Sequence, residues 1–184
     1  MQTNICWAGQ DYNSVEKCLL TSTSTANAAN AVIKGIWENE PYVVEYMIQT
    51  NANWETIAFK IKSNFAGTNY ELDFLSDGKG RWTTAGIHDA AFDNCIDIDI
   101  SMTPFTNTLP IKRLHLAKNE RRRITVLYID VAAQQTRRID QLYTKLSQTV
   151  YKYENASKDF QSVITVDDEG LVVAYPNHFM RTAG

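Results

Sequence analysis

Cysteine is scarce in this chain of 184 residues. The three present, Cys6, Cys18 and Cys95, are odd in number and far apart, and no CxxC pair occurs. That pattern argues against a zinc ribbon or a thioredoxin-like redox site and suits small buried thiols in a reducing compartment. Histidine is as rare. His88, His115 and His178 form no HExxH motif and no paired spacing, so no metal set is expected from them. Charge of one sign is lacking too: the net charge is −3, which gives no global attraction for nucleic acid or an anionic membrane. No apolar run approaches the ~18 residues of a membrane-spanning helix. Met1–Trp7 has neither the basic start nor the apolar core of a signal peptide, so the cytoplasm is the expected compartment. GxSxG, GxxxxGK[ST] and a GxGxxG after a strand are all missing, which removes the hydrolase elbow and the standard nucleotide loops.

What remains is ordinary globular material, 44% hydrophobic and 21% charged. One domain over 1–184 is expected, large enough to bury roughly 70% of the surface its unfolded chain exposes. The dominant period is two. Ile57, Phe59 and Ile61 alternate with Ala58, Lys60 and Lys62, and Tyr70, Leu72 and Phe74 with Glu71 and Asp73. Tyr42–Ile48 is β-branched and aromatic, Cys95–Ser101 alternates strictly, and Ile124–Val131 reads as a further strand. Asp77-Gly78-Lys79-Gly80 and Asp167-Asp168-Glu169-Gly170 are hairpin turns. Thr21–Asn30, polar and nearly aperiodic, reads as an exposed loop or weak edge strand. Ile139, Leu142, Tyr143 and Leu146 also fit helical spacing, which leaves that stretch open between helix and strand. Many short strands joined by turns predict an all-β, mainly antiparallel sandwich or barrel, either packed or hollow.

Two segments carry candidate chemistry. In a strand, the carboxylates of Asp97 and Asp99 share a face ~6.6 Å apart. There they can bind a divalent metal or serve as acid and base, the more so if the face lines a cavity, or they simply lie on the solvent face with the isoleucines buried. Thr103–Leu114, bracketed by Pro104 and Pro110, reads as a rigid polar loop that runs into a strand near Lys112 and Arg113. It either shapes a ligand site or merely crosses between strands. The aromatic fraction, 11%, supplies candidate ligand platforms.

Taken in order, Asp77-Gly78-Lys79-Gly80-Arg81-Trp82, Cys95-Ile96-Asp97-Ile98-Asp99, Thr103-Pro104-Phe105-Thr106-Asn107-Thr108-Leu109-Pro110-Ile111-Lys112-Arg113-Leu114, Gln141-Leu142-Tyr143-Thr144, Tyr151-Lys152-Tyr153-Glu154 and Val166-Asp167-Asp168-Glu169-Gly170-Leu171-Val172 resemble the putative glycolipid-binding family of bacterial proteins. The resemblance spans nearly the whole chain, and its proline-bracketed motif is the most specific part. It implies an open or half-open β-barrel, similar to lipoprotein carriers that hold acyl chains in a concave sheet. The expectation is a non-enzymatic binder without cofactor. Asp97, Asp99, Asn107 and Arg113 would fix a polar head, with Tyr46, Trp54, Trp82 and Tyr143 lying along the ligand. The rival expectation is a metal-dependent hydrolase of a phosphorylated or glycosylated small molecule using Asp97 and Asp99, and a third is a filled, ligand-free domain.

Overall fold

The computed structural model describes residues 1–157 and 159–183. The chain forms β1 (Gln2–Gly9), β2 (Ser14–Ser22), β3 (Ala26–Trp37), β4 (Glu40–Asn51), β5 (Thr56–Phe65), β6 (Thr68–Ser76), β7 (Trp82–Thr84) and β8 (Ile87–His88). A short 3₁₀ turn, Ala90–Phe92, leads to β9 (Asp97–Ile100) and helix α1 (Phe105–Leu114). Then come β10 (Arg121–Asp130), β11 (Gln135–Lys145), β12 (Val150–Asn155), β13 (Gln161–Val166), β14 (Val172–Tyr175) and β15 (Phe179–Thr182). All strands join one open sheet in the order β8 to β1, then β15 back to β9, and every pairing is antiparallel except β9 with β10. Among the described residues α1 is the single α-helix.

The strand reading holds, and its alternation decides the core. On β4, Tyr42, Val44, Tyr46 and Ile48 point inward, while Val43, Glu45 and Met47 point out. Two-residue turns fit the twist: Glu38-Asn39 between β3 and β4 and Ala66-Gly67 between β5 and β6 have positive φ throughout, the type I′ geometry. Both predicted hairpin turns lie where expected, between β6 and β7 and between β13 and β14. The segment Thr21–Asn30 differs from expectation, because all but Thr23–Thr25 is strand in the body of the sheet. Ala29 within this segment and Ala31 just after it face inward and are buried. The open stretch around Ile139 is strand, paired along its length with β10.

The sheet rolls until its two ends meet without a shared ladder. Gly80 O accepts from Asn94 N at 2.9 Å, and Trp82 Nε1 donates to Cys95 O at 2.7 Å. A Cβ on Gly80 would sit 2.8 Å from Asn94 backbone, so this contact requires glycine as well as its positive φ. The rolled sheet holds two apolar cores. β10 serves both: Leu127 and Ile129 pack in the core beneath β1–β5, and Ile124 and Val126 in the core beneath β11–β15. Strands buried on both faces have no wet side.

The segment read as loop and strand from Thr103 is helical. Every residue of Phe105–Ile111 is buried, so α1 fills the concavity rather than bordering it. Where it starts, Thr103 Oγ1 accepts from Phe105 N at 3.0 Å and donates to Glu16 Oε1 at 2.8 Å. Glu16, on the inward face of β2, is 2% exposed, and its Oε1 also accepts from the Tyr46 hydroxyl. Its Oε2 is buried with no partner among the described residues. No charged group offsets this burial, and burial pushes the Glu16 carboxyl up to about 8, against the two hydroxyl bonds that lower it.

A carboxyl with a raised folded-state pKa stabilises the fold while protonated. The unfolded chain releases this proton near pH 4.5 and the folded chain near 8. Glu16 should therefore cost stability as pH rises through that window, at about 1.4 kcal/mol per pH unit at most, and add no further slope above it. Thermal unfolding of wild type and Glu16→Gln from pH 5 to 8.5 checks this: the variant's advantage should grow with pH. Parallel curves would mean that Glu16 keeps an ordinary pKa.

Candidate functional site

The two aspartates of β9 organise the interior. In the parallel register Asp97 lies beside Val126 and Asp99 beside Tyr128, so both share the face turned toward the β11–β15 half. Asp97 is 1% exposed and paired bidentately with Arg113, Nε to Oδ1 at 3.1 Å and Nη2 to Oδ2 at 2.6 Å. Asp99 accepts from Thr106 Oγ1 at 3.1 Å and from Gln141 Nε2 at 2.6 Å. Thr106 and Arg113 lie two turns apart on one face of α1, so the strand grips the helix at both ends. Burial raises both aspartates; Arg113 opposes the rise at Asp97, and Gln141 and Thr106 oppose it at Asp99. Asn107, the next residue along α1, accepts from the Tyr143 hydroxyl at 2.8 Å.

A cavity of about 270 Å³ opens beside this first turn. Asp99, Ser101, Thr103 and Asn107 line it from β9 and the helix start, and Tyr128 and Arg137 from β10 and β11. Further lining comes from the far end of the sequence and the β1–β2 turn, including Tyr153, Phe160, Tyr175 and His178, with Asp11 and Tyr12, and apolar lining from Ile100, Ile139 and Phe179. The aromatic members meet at steep angles. Tyr153 and Tyr175 are 6.3 Å apart at 62°, Tyr153 and Phe160 5.9 Å at 63°, and Tyr175 and His178 4.9 Å at 69°. His178 Nδ1 is bonded to the Asp11 carboxylate. The Arg137 guanidinium lies 4.8 Å from the Tyr128 ring centroid, and among the described residues it has no carboxylate partner.

Five of the nine tyrosine hydroxyls show a contrast. Those of Tyr42, Tyr46 and Tyr143 are bonded to Tyr12 O, Glu16 and Asn107. Those of Tyr128 and Tyr175 have no hydrogen-bond partner among the described residues, and neither oxygen is sealed from the cavity. Burial, and after it the Asp99 charge, pushes Tyr128 up to about 12; the same two causes raise Tyr153 and Tyr175. These hydroxyls stay protonated throughout the physiological range.

Of the residues expected at a site, Asp99 and Asn107 meet at this cavity. Tyr143 supports Asn107 there, and Asp97 pairs with Arg113 two turns further along α1. The others lie elsewhere. Tyr46 is in the core under β1–β5. Trp82 packs there against Phe59, 5.4 Å between centroids, with its N–H given to Cys95 O. Trp54 takes Lys112 Nζ over its ring at 5.3 Å, toward the other end of α1. Among the described residues no group of three or more histidine, cysteine or carboxylate side chains is placed to hold a metal. None of their helices is long and apolar enough to cross a membrane. Sequence reasoning missed Asp11, Arg137, Phe160 and His178. These sit in turns or at strand ends with no local motif, and only the β1–β15 pairing brings residue 11 to residue 178.

The protein is thus an open, mainly antiparallel sheet rolled around one helix, with a polar and aromatic cavity at the helix start. The chain belongs to the family described as "Putative glycolipid-binding", whose model matches residues 4–181. It is similar to a DUF1089 family protein from Pseudomonas aeruginosa of known crystal structure, with 36% identity, 92% of each chain covered and a TM-score of 0.85. No curated protein matches the chain.

The Asp97–Arg113 pair gives a direct test of how α1 is held. Arg113→Ala leaves a buried carboxylate uncompensated and should cost about 3–5 kcal/mol in urea unfolding. Adding Asp97→Asn should recover part of that loss. A cost below about 1 kcal/mol would show that α1 stays seated without the pair.

Proposed function

We propose that the protein is a non-enzymatic binder that holds an amphipathic, glycolipid-type ligand by its polar end in the cavity beside the first turn of α1. The family supports a binding role in general. The observation that carries the reading at this site is the pair of tyrosine hydroxyls, Tyr128 and Tyr175, without partners among the described residues in a cavity that also holds the Arg137 guanidinium, which has no carboxylate partner among them. Tyrosine hydroxyls in protein interiors ordinarily find partners within the protein, and those of Tyr42, Tyr46 and Tyr143 do. Polar groups kept ready around a small cavity suit a ligand that supplies the missing bonds.

In this reading Asp99 and Asn107 contact the ligand head. Asp97, Arg113 and Tyr143 position them, and Tyr46, Trp54 and Trp82 act through packing. A metal-dependent hydrolase would need Asp97 and Asp99 together as ligands, but Asp97 is chelated by Arg113. No observation favours that alternative.

Native mass spectrometry of the protein with a short-chain alkyl glycoside, below its micelle concentration, tests the role. A saturable one-to-one adduct is expected in wild type. Ser101→Phe, which places a ring inside the cavity, should weaken it at least tenfold while the variant retains a cooperative thermal transition. An adduct of equal strength in the filled variant would remove the cavity from the function.

A further inference from the structure

We infer that this cavity selects an uncharged, single-ring polyhydroxylated head, and that the hydrocarbon of the amphiphile stays outside it; the inference rests on the binding role proposed above. Volume is the first reason. At roughly 30 Å³ for one water, and a comparable space for one CH₂, about 270 Å³ holds on the order of nine such groups. A long acyl chain does not fit. One sugar ring with its hydroxyls, about a dozen heavy atoms at close-packed density, does. The space a chain would need is also occupied, because α1 fills the concavity with Phe105 and Leu109.

The lining is the second reason. Donors and acceptors are mixed: Arg137 only donates, the Asp99 carboxylate only accepts, and the hydroxyls of Tyr128 and Tyr175 do both. A methylene chain would take water from all of them and return no bond. A polyol returns both kinds. Its C–H face also suits the aromatic group of Tyr153, Phe160 and Tyr175, in which Tyr153 meets the other two edge to face.

Charge is the third reason. Asp99 lines the cavity and opposes an anionic head, beside Asp11, whose carboxylate is bonded to His178. Arg137 opposes a cationic one. The Asp99 charge is felt across the space, since it raises Tyr128, Tyr153 and Tyr175 together. Trp37, whose ring lies 5.4 Å from that of Tyr12 and which is 36% exposed, offers apolar surface next to this lining residue for a hydrocarbon kept outside.

Isothermal titration with three sets of compounds, all below micelle concentration, tests this. The first set is methyl hexosides of several stereochemistries. The second is the octyl glycoside of the best hexose with its octyl uronide, the same ring bearing a carboxylate. The third is octanoate. At least one methyl hexoside should saturate the wild-type cavity, and the octyl glycoside should bind within about tenfold of it. A buried tail would instead gain roughly fourfold per CH₂. The uronide and octanoate should bind at least tenfold more weakly, and Asp99→Asn should narrow the discrimination against the uronide. Tight octanoate, an equal uronide or steep growth with chain length would overturn the head selection and leave the binding role standing. If nothing in the panel binds, both readings fall.

Discussion

Two carboxylates on one short strand hold the interior together. Asp97 and Asp99 point the same way from β9, and α1 answers them with Arg113 and Thr106 from one face. Removing either charge from water is costly unless its hydrogen bonds are replaced in full. The strand and helix are therefore bound to a single relative placement. That placement puts the helix inside the rolled sheet, divides the apolar interior into two cores, and leaves one polar gap where the helix begins. A purely apolar contact between β9 and α1 would let the helix slide by a turn at small cost. The ionic and hydrogen-bonded grip does not.

The same constraint explains why the sheet stays open without exposing long edges. β8 is two residues long and β9 four, and the link between them is fastened by Gly80–Asn94 and Trp82–Cys95. Short terminal strands present little unpaired backbone to another chain. β9 enters parallel to β10, which requires a crossover, and α1 supplies it by passing through the concavity. The helix thus satisfies topology, core volume and cavity shape together.

Much of the sheet was legible from the chain because period two is a local signal. The residues of β4, β5 and β6 state their faces one by one. The helix was not legible. Thr106, Asn107 and Thr108 are poor helix formers, and Pro110 lies in the helix interior without an N–H to give. The helix exists because its surroundings bury every residue from Phe105 to Ile111, a tertiary effect that the local sequence does not contain. Asp97 and Asp99 were legible as a pair on one face, but Arg113 as the partner of Asp97 requires a helix where a strand was expected. Asp11 and His178 meet only through the pairing of the first strand with the last, which no local pattern announces.

For Tyr143 and Tyr175, the bonding of the hydroxyl separates core from site better than burial does. Tyr143 and Tyr175 are both buried, and both are raised by burial and by the Asp99 charge. They differ in what the hydroxyl meets. Tyr143 gives its proton to Asn107 and so helps fix the helix start, whereas Tyr175 opens onto the cavity with nothing to bond among the described residues. A core tyrosine that lost its partner would be destabilising by about 1–3 kcal/mol, so an unused hydroxyl is tolerable only where water or a ligand reaches it. The cavity is marked by that difference. Its walls are as aromatic as the core, but its polar groups are left unmatched, and recognition of a small polar ligand follows from chemistry that the fold itself does not consume.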